Sequence, residues 1–401
     1  MVQSVVVFML AAFALALVAE PLARLMRLPY TTLLVVLGIG AGQLVEAFRI
    51  QTGLDYIVLT DVVLKVLLPV LIYEAAQAMD LAALRRHLVP VLLLVGPGFV
   101  IAMLVTAAVI AAFPFVELSW LAILILAALL SSTDPLAVTS QLRLLDAPKR
   151  LLVTVEGEGM LNDPAAIVLF TVLLALALSG TEPNTANVVL DFVRVAAGGA
   201  LIGSAFGTVA WAVFRAVRND LAKMLCTLAT AYASFLTAEA VGMSGVFATL
   251  ATSLLIDARV ERRESPDFRA SLGSLWQVLG YVASAVLFLL VGFAFTREMF
   301  AAHFLEMVVA IVAVLVARAV AVFGLLSLPL GDRAVRVPFL EQTVVVWGGL
   351  RGGVALALVL SLPLELHSWF TLQSMAYGVV LFTLLVQAPT LPWLLRRVLK
   401  G

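Results

Sequence analysis

Charge is scarce in this sequence: 12% of its 401 residues are Asp, Glu, Lys or Arg, against 63% that are apolar, and the mean hydropathy is +1.12. A typical soluble domain carries about 25% charged residues, so water is excluded as the main solvent. The 25 basic and 25 acidic residues cancel, which removes the cationic field that nucleic-acid binding requires. A single cysteine, Cys226, excludes an internal disulfide and is expected to be a small apolar side chain. Only three histidines are present, His87, His303 and His367, all expected in loops or at helix ends. No metal-ligand cluster, phosphate-binding loop or nucleotide motif is found, and Gly38-Ile39-Gly40-Ala41-Gly42 lies in an apolar run where it predicts close helix packing. The opening run from Val2 to Val18 has no charge and no basic start with a small-residue cleavage site, so a retained span is expected.

What is there is a series of long apolar runs. A spanning helix needs about 20 such residues, and about thirteen stretches qualify. They fall near 2–20, 30–47, 56–78, 88–113, 118–142, 149–179, 187–217, 221–240, 243–257, 270–296, 303–327, 336–361 and 373–395. Basic residues gather in alternate connections: Arg24 and Arg27; Arg85 and Arg86; Arg143, Lys149 and Arg150; Arg215, Arg218 and Lys223; Arg259, Arg262, Arg263 and Arg269; Arg333 and Arg336; Arg396, Arg397 and Lys400. Arg49 and Arg297 alone fall in the other set. Since Lys and Arg accumulate on the cytoplasmic side, the N-terminus is expected outside and the C-terminus inside, with no soluble domain or cytoplasmic tail.

Ionisable groups at membrane depth cost roughly 2.5–3.5 kcal/mol each on insertion scales, so each marks a candidate site. They are Asp61, Lys65, Glu74, Asp134, Glu158, Asp163, Arg318 and Arg351. Asp61 and Lys65, four apart, are expected to neutralise each other on one helix face. In the sixth stretch, Glu156-Gly157-Glu158-Gly159-Met160-Leu161-Asn162-Asp163-Pro164 puts Asp163 about 20 Å of helix beyond Arg150, near mid-membrane. Spacing sets Glu158 with Asn162 on one face and Gly159 beside Asp163 on the next, leaving room at the carboxylate, while two glycines and a proline weaken the helix.

Two other stretches are expected to break. Pro135 interrupts Ser131-Ser132-Thr133-Asp134-Pro135, and four glycines interrupt Trp347-Gly348-Gly349-Leu350-Arg351-Gly352-Gly353. They occupy matching places, fifth and twelfth, in two sets of six spans. The arithmetic is that of an inverted repeat: 1–183, a linker helix at 184–219, and 220–401. Broken helices at corresponding positions point to a mid-membrane ion site.

Taken in order, several motifs resemble the NhaP-type and NHE-type sodium/proton exchangers of the cation/proton antiporter-1 family, over essentially the whole chain. They are Leu28-Pro29-Tyr30, Leu68-Pro69 through Tyr73-Glu74-Ala75, Thr133-Asp134-Pro135, Glu158 with Asn162-Asp163, Ser244-Gly245, Arg318 and Trp347 through Gly353. The resemblance implies an all-α polytopic fold with crossed discontinuous helices. A core bundle (80–183 and 300–401) would move against a dimerisation bundle (1–79 and 184–299), in a homodimer of the bacterial inner membrane. It implies that Asp163 binds either the cation or the proton. Asn162 stands where electrogenic relatives have a second aspartate. Glu158 pairs with Arg318, Thr133 and Glu74 supply oxygens to the cation beside Asp163, and Asp134 and Arg351 balance the half-helix ends. Many members carry a serine directly after the glutamate; this chain has Gly159, which leaves water or a different ion shell at that place.

The chemistry agrees with that reading. Hard monovalent cations take oxygen ligands, and a lone carboxylate in lipid must be neutralised by one guest, a proton or a cation. Competition for one group couples the two flows. With Asn162 unable to titrate and Glu158 compensated, one-for-one electroneutral exchange of Na+ or Li+ for H+ is expected, with no cofactor. A potassium/proton exchanger or a cation channel on the same scaffold is the alternative. The G-x-S-G at Gly242–Gly245 resembles a rhomboid-type protease motif but lacks a histidine base, and an aspartyl protease built on Asp134 and Asp163 leaves Arg318 and Arg351 unexplained.

Overall fold

Where no water reaches the backbone, each peptide group must find its partner within the chain, and helices do so locally. Every regular element among the described residues is accordingly helical, with no strand. The computed structural model describes residues 2–26, 28–48, 60–179, 185–328 and 337–400. Arg27, Arg49, Arg333, Arg336, the start of the third apolar stretch and the boundary at 183/184 lie outside the described residues.

The chain runs through α1 (Val2–Met26), α2 (Tyr30–Ala47), α3 (Leu68–Gln77), α4 (Leu81–Arg86), α5 (Leu88–Ala111), α6 (Trp120–Ser131), α7 (Leu136–Leu144) and α8 (Lys149–Ser179). It continues through α9 (Thr185–Ala216), α10 (Asp220–Ala240), α11 (Gly245–Arg263), α12 (Pro266–Phe293), α13 (Arg297–Leu326), α14 (Phe339–Trp347), α15 (Gly353–Leu360) and α16 (Trp369–Val398). Punctuation sets the starts. Asp80, Ser119, Asn219, Ser244 and Ser265 each accept a backbone N–H of the first turn that follows, satisfying donors a helix leaves orphaned. Proline sets the irregularities. Wider π-helical turns at Val62–Leu67, Leu94–Gly98 and Thr383–Gln387 each lie within two residues of Pro69, Pro97 or Pro389, where a missing N–H breaks the i→i−4 ladder.

Nine helices among the described residues are long and apolar enough to cross a membrane: α1, α2, α5, α8, α9, α10, α12, α13 and α16. The fifth and twelfth expected stretches are each two short helices joined by a non-helical break, α6/α7 and α14/α15. α8 departs from expectation: despite Gly157, Gly159 and Pro164 it stays one continuous helix of 31 residues, because packing on several neighbours outweighs propensity. α11 runs through Arg263, beyond the apolar stretch expected at 243–257, since charged residues end apolarity without ending a helix. His303, with non-helical φ −130° and ψ 30°, marks a kink where two helical segments of α13 meet, in line with the helix-end position expected for it.

Two packing groups emerge. α5, α6, α8, α13, α14, α15 and α16 contact one another, as do α1, α2, α3, α9, α10, α11 and α12. α8 also meets α9, and α12 meets α15, joining the groups. In the second group the glycines of α2 bring backbones together: a Cβ on Gly38 would strike the Leu289 carbonyl of α12, and one on Gly292 the Val35 carbonyl of α2. Gly292→Ala is therefore expected to lower stability by about 1–3 kcal/mol, seen as a lower thermal midpoint in detergent. Gly40→Ala, where a Cβ meets nothing within 4 Å, is expected to change it by less than about 0.5 kcal/mol.

Candidate functional site

The two broken helices meet at their breaks. The Asp134 N–H donates to the Leu350 carbonyl at 2.8 Å, tying one unwound segment to the other. A helix that stops in the interior leaves carbonyls at its C-terminal end and N–H groups at its N-terminal end, with partial charges to match. Arg351, 2% exposed, sends Nε to the Leu130 carbonyl of α6 at 2.5 Å and Nη1 to the Gly349 carbonyl just past α14 at 2.6 Å. Thr383 of α16 holds the Arg351 backbone, accepting its N–H at 3.3 Å and donating to its carbonyl at 3.2 Å. The Asp134 carboxylate lies against Gly352 at the N-terminal end of α15, in space that a Cβ there would take. A cation thus faces two C-terminal ends, and an anion faces an N-terminal end.

Behind the breaks lies a buried ion pair. Both guanidinium Nη atoms of Arg318 (α13) donate to the Glu158 carboxylate (α8), the Nη2–Oε2 contact at 2.8 Å. Arg318 also reaches the Val345 carbonyl of α14 from Nη2 at 3.0 Å and from Nε at 3.3 Å. Asn162, one turn on from Glu158, donates from Nδ2 to Glu158 Oε1 at 3.2 Å and to Thr133 Oγ1 at 3.5 Å. Its Oδ1 is buried with no hydrogen-bond partner among the described residues.

In front of the pair, between the two packing groups, is a cavity of about 60 Å³. That is room for a small ion and a few waters. Its oxygens come from Asp163 at the midpoint of α8, Asp134 and Ser132 of the α6/α7 break, Glu74 of α3 and Ser284 of α12. Pro164 also lines it and has no N–H to offer the Met160 carbonyl one turn back. The Ser132 hydroxyl donates to Asp163 Oδ1. Asp163 and Glu74 have no cationic side chain at ion-pair distance among the described residues, so their charges are not fixed by a salt bridge. No group of three His, Cys, Asp or Glu closes on one point among the described residues. The carboxylates share a chamber rather than one coordination shell.

Of the residues singled out from sequence, Asp163, Asp134 and Glu74 meet at the cavity wall. Glu158, Arg318, Asn162 and Thr133 form the network behind it, and Arg351 sits at the helix ends. Room beside Gly159 is taken: the Pro135 ring lies where a side chain would project, with Cγ 2.6 Å and Cβ 2.9 Å from an ideal Cβ. A side chain there is blocked by carbon, while Gly159 itself lines the cavity beside Asp163. Ser284 carried no spacing signal, being a single hydroxyl in an apolar run, and Ser132 was visible only as part of the helix-breaking cluster. Asp61 and Lys65 pair at 2.8 Å with more than half of each side chain exposed. A pair missed from sequence joins Arg150 to Glu341 through two contacts, at 2.5 and 3.0 Å, where α8 meets α14. Ser244 is a helix cap whose hydroxyl accepts the Phe247 N–H at 3.2 Å.

Comparison with known proteins matches residues 9–397 to the family described as sodium/hydrogen exchanger, transmembrane. The chain belongs to the sodium/hydrogen exchanger family. This transporter is 29% identical over 398 residues to the Na(+)/H(+) antiporter NhaS2 of Synechocystis, covering 99% of the chain and 70% of the relative. It is 32% identical over 384 residues to the Na(+)/H(+) antiporter NhaG of Bacillus atrophaeus, covering 94% and 72%. Its fold matches the sodium proton antiporter MjNhaP1 of Methanocaldococcus jannaschii with a TM-score of 0.81 over 100% of both chains, at 18% identity. The exchanger is a multi-span secondary transporter and not an enzyme.

Breaking a buried ion pair from one side leaves an uncompensated charge. Arg318→Met is expected to destabilise the transporter by about 3–5 kcal/mol, and the double variant Glu158→Leu/Arg318→Met to recover part of that loss. Thermal or denaturant unfolding in detergent measures both; equal stability of the single variant and wild type would contradict a structural pair.

Proposed function

We propose that this transporter exchanges Na+ or Li+ for H+ one for one across the bacterial inner membrane, serving pH homeostasis, and that Asp163 is the group both ions share. The observation that carries the reading is the position of Asp163: at the midpoint of a continuous helix, on a cavity wall, without a fixed countercharge among the described residues. The other buried acid of α8, Glu158, is neutralised by Arg318.

A bare carboxylate in a low-dielectric chamber is costly, whereas the protonated or cation-bound form is neutral. Movement between the two sides is then confined to loaded states. The packing supports a core bundle (80–183 and 300–401) carrying Asp163 past a dimerisation bundle (1–79 and 184–299), with two copies of the chain joined through the latter. Glu74, on the opposite wall, would meet the ion from the dimerisation bundle, and Thr133 and Asn162 would hold the break and the ion pair in register with Asp163. Asp134 and Arg351 compensate the half-helix ends, so the crossing stays intact as the bundle moves. The N-terminus lies outside and the C-terminus inside, as the distribution of basic residues requires.

One side chain carries the exchange, so its neutralisation abolishes it. Asp163→Asn in proteoliposomes is expected to fold, yet to reduce cation-dependent proton flux by at least about a hundredfold, to background; retained flux would refute the assignment. For the wild type, an imposed membrane potential is expected to leave the rate of Na+-driven proton movement unchanged. A rate that tracks potential would exclude one-for-one exchange, and currents exceeding carrier turnover would indicate a channel.

A further inference from the structure

Two adjacent hydroxyls at the α6/α7 break are used differently. Thr133 Oγ1 faces away from the cavity and accepts Asn162 Nδ2 at 3.5 Å, joining the network around Glu158. Ser132, 1% exposed and held in extended backbone just past α6, lines the cavity and donates its hydroxyl to Asp163 Oδ1. On α8 itself the position one turn before Asp163 is Gly159, and the Pro135 ring fills the space into which any side chain there would project. No side-chain oxygen can be offered to Asp163 from position 159 without moving a rigid ring. The remaining hydroxyl of the cavity, Ser284, stands on α12 in the other packing group and makes no hydrogen bond to Asp163.

We propose that Ser132 is a specificity-determining ligand of the transported cation. A hydroxyl has one donor and two lone pairs and rotates to suit its neighbour. It donates to Asp163 when the carboxylate is charged and empty. With a proton on Asp163, the same oxygen accepts. With an alkali cation on Asp163, the hydroxyl turns its lone pair to the ion, which favours hard oxygen ligands. One side chain therefore serves all three states of the site from a fixed place beside the break. Because Coulomb attraction falls with distance, a short oxygen contact favours the smaller ion. Ser132 thus sets both affinity and the order of preference among Li+, Na+ and K+. This rests on the reading of Asp163 as the exchanging group.

The test uses the full chain in proteoliposomes, with Ser132→Ala, Ser132→Cys and Ser132→Thr beside Asp163→Asn, each assayed with Li+, Na+ and K+ at fixed pH. Ser132→Ala and Ser132→Cys are expected to raise the KM for Na+ by about tenfold, with kcat falling less than about threefold, and Ser132→Thr, which keeps the hydroxyl, to raise it less than either. The rise should be larger for Li+ than for K+, narrowing the preference for small ions. The thermal stabilisation gained on adding cation, measured for each variant against its own cation-free midpoint, is expected to shrink in parallel, which a purely structural role would not produce. An unchanged Na+ KM and ion order in Ser132→Ala, with Asp163→Asn inactive, would overturn the proposal and leave the Asp163 reading standing. Exchange retained by Asp163→Asn would instead remove the reading itself. Ser132→Cys keeps the side-chain shape with a somewhat larger atom and replaces a hard oxygen by a soft sulfur, so an unchanged KM there overturns the proposal even if the alanine variant does not fold.

Discussion

A charge placed in the middle of a hydrocarbon layer has to be answered, and the centre of this transporter is organised by how each one is. Arg318 and Glu158 answer each other through paired contacts, with Val345 taking the remaining donors. Arg351 has no carboxylate at ion-pair distance among the described residues and is met by the carbonyls of Leu130 and Gly349, where two helices stop short. Asp134 lies at the start of α15, where N–H groups are exposed. Asp163 is answered by the Ser132 hydroxyl and by a cavity that Glu74 also lines. In the proposed cycle that missing countercharge is the transported ion.

The helix breaks that create this centre come from a few residues. Pro135 removes a donor and disfavours helix at the residue before it, and Gly352 lets the Asp134 carboxylate approach the chain. The Asp134–Leu350 hydrogen bond then locks one break to the other. Around them, α6 and α15 are buried along most of their lengths, so the crossing sits in packed surroundings. Rigid surroundings hold a bare carboxylate at a fixed depth, which a flexible loop would let relax toward water.

Much of this was legible in the sequence because membrane folding leaves strong signals. Apolar runs set the helices, proline and glycine set both breaks, and the spacing of Glu158 and Asn162 gave their shared face. What stayed hidden depends on approach between segments far apart in the chain. Gly159 gave no sign that the Pro135 ring of the α6/α7 break would lie where a side chain there projects. Ser132 looked like one member of a helix-breaking cluster until the fold set it on Asp163. α11 exceeded its apolar stretch because hydropathy detects where lipid ends, not where hydrogen bonding does. The kink at His303 has no local proline or glycine to announce it; its ring is met by Glu306 one turn on at 3.4 Å and by Thr371 of α16 at 3.5 Å.

The central claim is that one carboxylate holds either a proton or a cation and never both. Proton release on cation binding tests it most directly, measured with a pH indicator as Na+ is added to weakly buffered, detergent-solubilised transporter. The account predicts release approaching about one proton per Na+ bound when the site starts protonated. Sodium binding without proton release over the whole active pH range would contradict it.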